Sequence, residues 1–392
     1  MLRDEEELLE QDPFAGTVWT KIYERTREFV RSLHEAIREV RGDLEELVEE
    51  VRKRKARIPH PSRKYVVAVV DSTYTPMAID TYVSRIAGVV YGYLIYPSRR
   101  RPEISVEIVD LRSPSEGRAP ESSVSRAATI LEIAALLSLL ERRKSERGLS
   151  FDVVVRDGDF PPAEAIYLRS SRTGYVRRAR ELSRRVLREA SSLGVGVAGI
   201  VKRISSSLIA FKLLGERVFE EREKRRMGFF SDAFVARIAL RPGEYLELGK
   251  YGEDFGGEPL ISSYFSKLMR RKIDEILDEC PEFGEIEIAY YRPPFPSSPV
   301  VKVLAFNVDV EDFVAYCSSV STTSYPQFLN LIDKAVLEYA RGVNIESLLY
   351  LALQKAAEEL AGEALGGETL GFALGALNRQ KVEVLLRWLK RD

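Results

Sequence analysis

The strongest pattern along the chain is a run of alternating short apolar stretches and charged segments that starts at Tyr65. In Tyr65-Val66-Val67-Ala68-Val69-Val70, five of the six residues are β-branched or aromatic, which suits a strand buried on both faces. Arg85–Tyr96 is a second apolar stretch. In the third, Glu103–Leu111, Ile104, Val106 and Ile108 alternate with Ser105, Glu107 and Val109. These three predict an antiparallel meander. Pro120–Arg147 then reads as a long helix with Ser122 or Ser123 as its N-cap. Phe151–Asp157 is a fourth strand, Tyr175–Ser192 a basic helix, and Gly196–Lys202 a further strand. Strand-strand-strand-helix-strand-helix-strand is the ribonuclease H-like order.

Before this block, Ile22, Phe29, Leu33, Ile37, Val40, Leu44, Leu47 and Val51 recur at helical steps within Trp19–Lys55. They predict one or two helices whose apolar stripe docks on the rest of the chain. Arg57-Ile58-Pro59-His60-Pro61 ends that helical region. In the second half, Ala233–Leu240 and Tyr245–Leu248 read as short strands around the turn Arg241-Pro242-Gly243-Glu244. Tyr251–Glu258 reads as an acidic loop and Ser262–Glu279 as an amphipathic helix. Glu285–Tyr291 and Val300–Val308 read as strands, and Tyr325–Arg341 and Asn344–Leu360 as helices. Val382–Lys390 is an apolar-basic helix. The expected organisation is a helical extension over 1–56, an α/β domain over 57–341 and a second helical extension over 342–392. The two terminal helices are the expected sites of dimer or partner contact.

Composition narrows this picture. The 392 residues are 45% hydrophobic and 30% charged, enough for a sizeable core without staples. Cys280 and Cys317 are the only cysteines, so a disulfide framework is excluded and a reducing compartment is expected. No apolar run is long enough to suggest a membrane span, and the acidic start Met1-Leu2-Arg3-Asp4-Glu5 lacks a signal-peptide core. The expected location is cytoplasmic, and the high charge with few Cys and Met fits a thermophile. His34 and His60 lie in no His/Cys cluster, which argues against a zinc site of the usual spacing and against a Ser-His-Asp triad. Net charge is −1, so any nucleic-acid binding needs local concentration of basic residues.

The first and fourth strands both end on a carboxylate, Asp71 and Asp157, and Gly158 permits a sharp turn after the second. Ligand sites in α/β sheets lie at such strand ends. Glu132 sits in the otherwise apolar segment Ala127–Leu140, where an unpartnered charge is costly and metal coordination would answer that cost. The alternative is a solvent-facing Glu132 paired with Arg126 or Arg142. Converging carboxylates repel one another unless a cation lies between them, and hard oxygen donors suit Mn²⁺ or Mg²⁺. Such centres serve phosphoryl transfer. Ser72 or Thr73 is placed to bond a ligand. Arg169, Arg172, Arg177 and Arg178, following the Asp157 strand, are the chosen contacts to a nucleic-acid backbone.

Several motifs resemble those of the NurA nucleases of archaea and some bacteria. They are Ala68-Val69-Val70-Asp71-Ser72-Thr73, Val155-Arg156-Asp157-Gly158-Asp159-Phe160 and Gly199-Ile200-Val201-Lys202-Arg203. Ser231-Asp232-Ala233-Phe234, Leu240-Arg241-Pro242-Gly243-Glu244, Ser324-Tyr325-Pro326-Gln327-Phe328-Leu329 and Ile332-Asp333-Lys334-Ala335 follow in the family's order. The resemblance implies a ribonuclease H-like fold and a Mn²⁺-dependent nuclease. It implies 5′-to-3′ exonuclease action on single- and double-stranded DNA and endonuclease action on single strands. It further implies a homodimer working with a hexameric HerA-type translocase in end resection for recombinational repair. It makes Asp71, Glu132, Asp157 and Asp333 the catalytic metal-binding set, with Asp333 either a ligand or the group that positions the water, and Lys202 a phosphate contact. The chain departs from the pattern at Ser72-Thr73, at Asp159, which adds a carboxylate beside Asp157, and in having no late histidine. Two other readings stay open on these residues. One is a non-catalytic dimeric adaptor of the same fold; the other is a different ribonuclease H-like phosphotransferase acting on RNA or DNA junctions.

Overall fold

The computed structural model describes residues 13–74, 79–80, 85–98, 100–110, 120–146, 148–167, 174–214, 230–251, 254–255, 258–259, 280–322, 324–345, 347–349, 351–352 and 355. The expected helices Ser262–Glu279 and Val382–Lys390, and Arg169 and Arg172, lie outside them. The strands are β1 (Ala56–Arg57), β2 (Val67–Tyr74), β3 (Ile79–Asp80), β4 (Arg85–Tyr96), β5 (Glu103–Asp110), β6 (Val153–Asp157), β7 (Gly196–Val201), β8 (Glu244–Lys250), β9 (Asp254–Phe255), β10 (Glu258–Pro259), β11 (Glu287–Tyr291) and β12 (Val301–Phe306). The helices are α1 (Pro13–Arg54), α2 (Pro120–Ser145), α3 (Ala163–Tyr167), α4 (Gly174–Leu193), α5 (Leu208–Leu214), α6 (Asp232–Ala239), α7 (Val310–Ser319) and α8 (Gln327–Gly342).

The chain divides into two compact units, Met1–Arg54 with Ser205–Ala239, and Lys55–Ile204 with Leu240–Asp392. Residues 205–239, expected inside the central α/β domain, therefore group with the N-terminal helix. In this unit α1 packs on α5 and α6. Val40, Leu44, Leu47, Val48 and Val51 are buried, as the stripe predicts. The same helix leaves Trp19, Ile22, Tyr23, Phe29 and Val30 exposed, so docking covers only its C-terminal half. Residues 232–239 form a helix, not the expected strand. Val235, Ala236 and Ala239 are buried at helical spacing, and a short apolar run does not by itself distinguish the two periods. Buried Asp232 accepts from Ile209 N (2.8 Å) and Ser206 Oγ (2.5 Å), placing a carboxylate at the start of α5.

In the larger unit, ten strands form one mixed sheet in the order β1-β8-β11-β12-β7-β6-β2-β4-β3, with β5 paired to β4. The expected meander is present: β2 pairs β4 and β4 pairs β5, both antiparallel. β2, β6 and β7 are mutually parallel, as crossovers through α2 and α4 require. This is the ribonuclease H-like arrangement. Pro120 opens α2, so Ser122 and Ser123 lie inside the helix; proline suits the first turn because its missing N–H would have no partner there. One sheet face carries Val67, Val69, Val153, Val155, Ala198 and Ile200, packed with Phe313, Phe328 and Ile332 of α7 and α8. Helix α7 has no counterpart in the sequence expectations; Asp309 caps it by accepting from Asp312 N (2.8 Å). In the segment expected as an acidic loop, β9 pairs with β10 antiparallel among the described residues.

Candidate metal centre

Register brings the first two carboxylates together. β2 and β6 run side by side with Val70 opposite Arg156, so the next step along each strand sets Asp71 opposite Asp157. Side chains alternate across a sheet. Asp71 follows Val67 and Val69, and Asp157 follows Val153 and Val155, so both carboxylates belong to the face covered by α7 and α8. Lys202 continues the parity of Ala198 and Ile200 and reaches the same face from β7. Helix α8 buries Phe328, Leu329, Ile332 and Val336 against the sheet, which brings Asp333 to the strand ends. One oxygen from each of Asp71, Asp157 and Asp333 lies within 4.8 Å of the others. The Lys202 ammonium sits against both Asp157 and Asp333.

The opposite parity builds a second set. Ser72 and Arg156 point to the face covered by α2 and meet Glu132 there. Glu132 is neither solvent-facing nor paired with Arg126 or Arg142. It is 5% exposed and held by Arg156 through Nε (2.7 Å) and Nη2 (2.6 Å). The Ser72 hydroxyl donates to its other oxygen, so Ser72 supports a carboxylate rather than offering its proton to a ligand. Arg156 also donates to the Asp159 carbonyl and to Thr129 Oγ1 (3.2 Å). The guanidinium thus ties α2, β6 and the following loop together. In the sequence Arg156 stands out only as a cation inside an otherwise apolar strand, and the structure gives it this role.

Two glycines shape the loop after Asp157. Gly158 has φ +129°, a region that side chains rarely adopt. A Cβ on Gly199 would lie 2.6 Å from Gly158 O, so only glycine lets β7 accept the folded-back loop. Asp159 turns away from Asp157 and pairs with buried Lys302 (2.8 Å). The extra carboxylate expected beside Asp157 is therefore neutralised elsewhere.

The electrostatics are those of acids crowded without enough counter-charge. Burial, then the Asp157 charge, then a hydrogen bond with Asp333 push Asp71 up to about 9. Burial likewise raises Asp157, to about 7, with Lys202 pulling the other way. Burial opposes the Lys202 ammonium, but Asp157 and Asp333 beside it outweigh that and raise its pKa. Buried carboxylates held partly protonated are the donors a cation would displace protons from. The set is all oxygen, which fits a hard divalent ion such as Mn²⁺ or Mg²⁺ and not zinc of the Cys/His type.

The centre lies at the meeting of two clefts. One, of about 700 Å³, is lined by Asp71, Glu132, Arg156, Asp157, Lys202 and Tyr325 among others. The second, about 500 Å³, runs along α8 from Asp71 and Asp333. Arg177 and Arg178 are exposed on α4. No helix among the described residues is long and apolar enough to cross a membrane.

Neither a protein-family model nor a curated protein sequence matches the chain. Solved structures do. The NurA nuclease from Sulfolobus solfataricus is 16% identical, over 86% of this chain and 98% of that one, with a TM-score of 0.51. A NurA structure with manganese is 12% identical over 84% and 98%, with a TM-score of 0.48. Ciona intestinalis endonuclease V in complex with an inosine-containing DNA is 13% identical over 79% and 99%, with a TM-score of 0.35. At these identities the likeness to the Sulfolobus nuclease is one of fold.

Proposed function

We propose that the protein is a metal-dependent DNA nuclease. The observation that carries this reading is the convergence of Asp71, Asp157 and Asp333 from two parallel strands and a helix within 4.8 Å, on the floor of an open cleft. Asp71, Asp157 and Asp333 would hold the ion, with Glu132 beside them as a fourth carboxylate whose present partners are Arg156 and Ser72. A divalent ion there would supply Lewis acidity and an activated water for phosphodiester hydrolysis. Lys202 places a positive charge where a phosphate would approach, and by contacting Asp157 and Asp333 it holds the two carboxylates in position when no phosphate is present. The Arg156–Glu132–Ser72 chain fixes the strand ends from the opposite face.

The finer reading follows from the motif resemblance: Mn²⁺ as the ion, 5′-to-3′ exonuclease action on single- and double-stranded DNA, and endonuclease action on single strands. A homodimer working with a HerA-type hexameric translocase in end resection belongs to the same reading, with Arg169, Arg172, Arg177 and Arg178 as backbone contacts. The likeness of fold to the Sulfolobus nuclease supports it. The test is incubation with labelled single-stranded DNA, double-stranded DNA and RNA, each with Mn²⁺, Mg²⁺ or EDTA. Metal-dependent shortening of DNA, lost in Asp71→Ala/Asp157→Ala with the fold intact by circular dichroism, is the expected result. A wild-type protein that binds the metal yet cuts none of the three contradicts the proposal.

A further inference from the structure

The two clefts share Asp71, Ser72 and Asp333 at their junction. The two clefts therefore meet at the carboxylates. Outside the three shared residues each cleft contains an arginine with no ion-pair or hydrogen-bond partner for its guanidinium among the described residues: Arg203 in the first cleft and Arg341 in the second. Both are exposed. Arg156, Lys302 and Arg142 of this unit are instead committed, to Glu132, Asp159 and Glu146. Along α8 the face opposite the buried Phe328, Ile332 and Val336 presents Asn330, Lys334, Leu337 and Arg341 to the second cleft, one below another at helical spacing. Lys334 is only loosely paired, 3.6 Å from Glu338.

From this arrangement we infer that a single DNA strand crosses the carboxylates along both clefts, with Arg203 and Arg341 gripping phosphates on opposite sides of the scissile bond. The inference rests on the nuclease reading and adds to it a strand path and a binding surface on α8. From Asp333 to Arg341 the helix rises about 12 Å. Phosphates along one strand recur about every 3.4 Å in helical DNA, so Arg341 meets one about three or four steps from the centre. A strand extended more fully places it fewer steps away. The acids at the junction repel phosphate, so uncommitted cations flanking them supply the attraction that holds the strand across the site.

The test is fluorescence anisotropy with labelled single-stranded DNA and Mn²⁺ at a series of salt concentrations, in an Asp157→Asn background that prevents cleavage. Arg203→Ala and Arg341→Ala should each reduce the salt slope of binding by about 0.7, and the double variant by about twice that. Lys250→Ala, on β8 and outside both clefts, should leave the slope unchanged. If neither arginine variant moves the slope while the background binds DNA, the strand path is wrong and the nuclease reading stands. If only one moves it, the strand does not span both clefts and the inference fails. If the background and the wild type both fail to bind DNA, both readings fall.

Discussion

Removing the Arg156 guanidinium should cost the larger unit much of its stability margin. Arg156 and Glu132 have side chains 10% and 7% exposed, and two guanidinium nitrogens reach the same carboxylate oxygen at 2.6 and 2.7 Å. In Arg156→Met, Glu132 keeps only the Ser72 hydroxyl. A buried charge stripped of its partner costs about 3–5 kcal/mol, and the lost bonds to Thr129 and the Asp159 carbonyl fall within that range. The mixed variant Glu132→Gln/Arg156→Met removes the orphaned charge and should recover most of the loss, because replacing both partners is often close to neutral. Urea denaturation of the metal-free protein, followed by circular dichroism, measures this. A loss below about 1 kcal/mol in Arg156→Met would refute the claim that the pair is buried and that Glu132 depends on it.

Two further outcomes follow from the same geometry. Asp71 and Asp157 are held at about 9 and about 7, above the usual carboxylate value, so the metal-free folded state binds more protons than the unfolded one. Its stability should therefore fall as pH rises from about 4 to 9, and metal uptake should release protons and tighten over that window. Calorimetry in buffers of different ionisation enthalpy reads the proton release, and uptake without protons at pH 7 contradicts the crowding. Gly199→Ala forces the loop at Gly158 away from β7, with a loss of about 1–3 kcal/mol expected for overpacking and weaker Mn²⁺ binding. Denaturation and metal titration of that variant check it, and wild-type values for both would remove the loop from the account.

Much of the sheet was legible because its strands are long, β-branched and bounded by breakers, and the pairing of Asp71 with Asp157 followed from two apolar runs that end alike. What escaped depended on partners distant in sequence. Asp232–Ala239 carries apolar residues that satisfy either period, and burial against α1 decides for the helix. Only three residues separate helix α7 from the end of β12, where the apolar run extends the strand pattern through Val308, and only the cap at Asp309 marks the change. Asp333 entered only through the motif resemblance, since an acid on an amphipathic helix is ordinarily solvated. Its place at the strand ends comes from the docking of Phe328, Ile332 and Val336. Glu132 was read correctly as too deeply set for a bare charge, but the partner that answers it, Arg156, comes from the neighbouring strand.

The most direct test of the central claim is Mn²⁺ binding, measured by calorimetry and by electron paramagnetic resonance on the wild type and on Asp71→Asn, Asp157→Asn and Asp333→Asn. Saturable binding by the wild type is expected, weakened at least tenfold by each substitution, with the fold unchanged by circular dichroism. Wild-type affinity retained in all three variants would mean that these carboxylates do not share an ion.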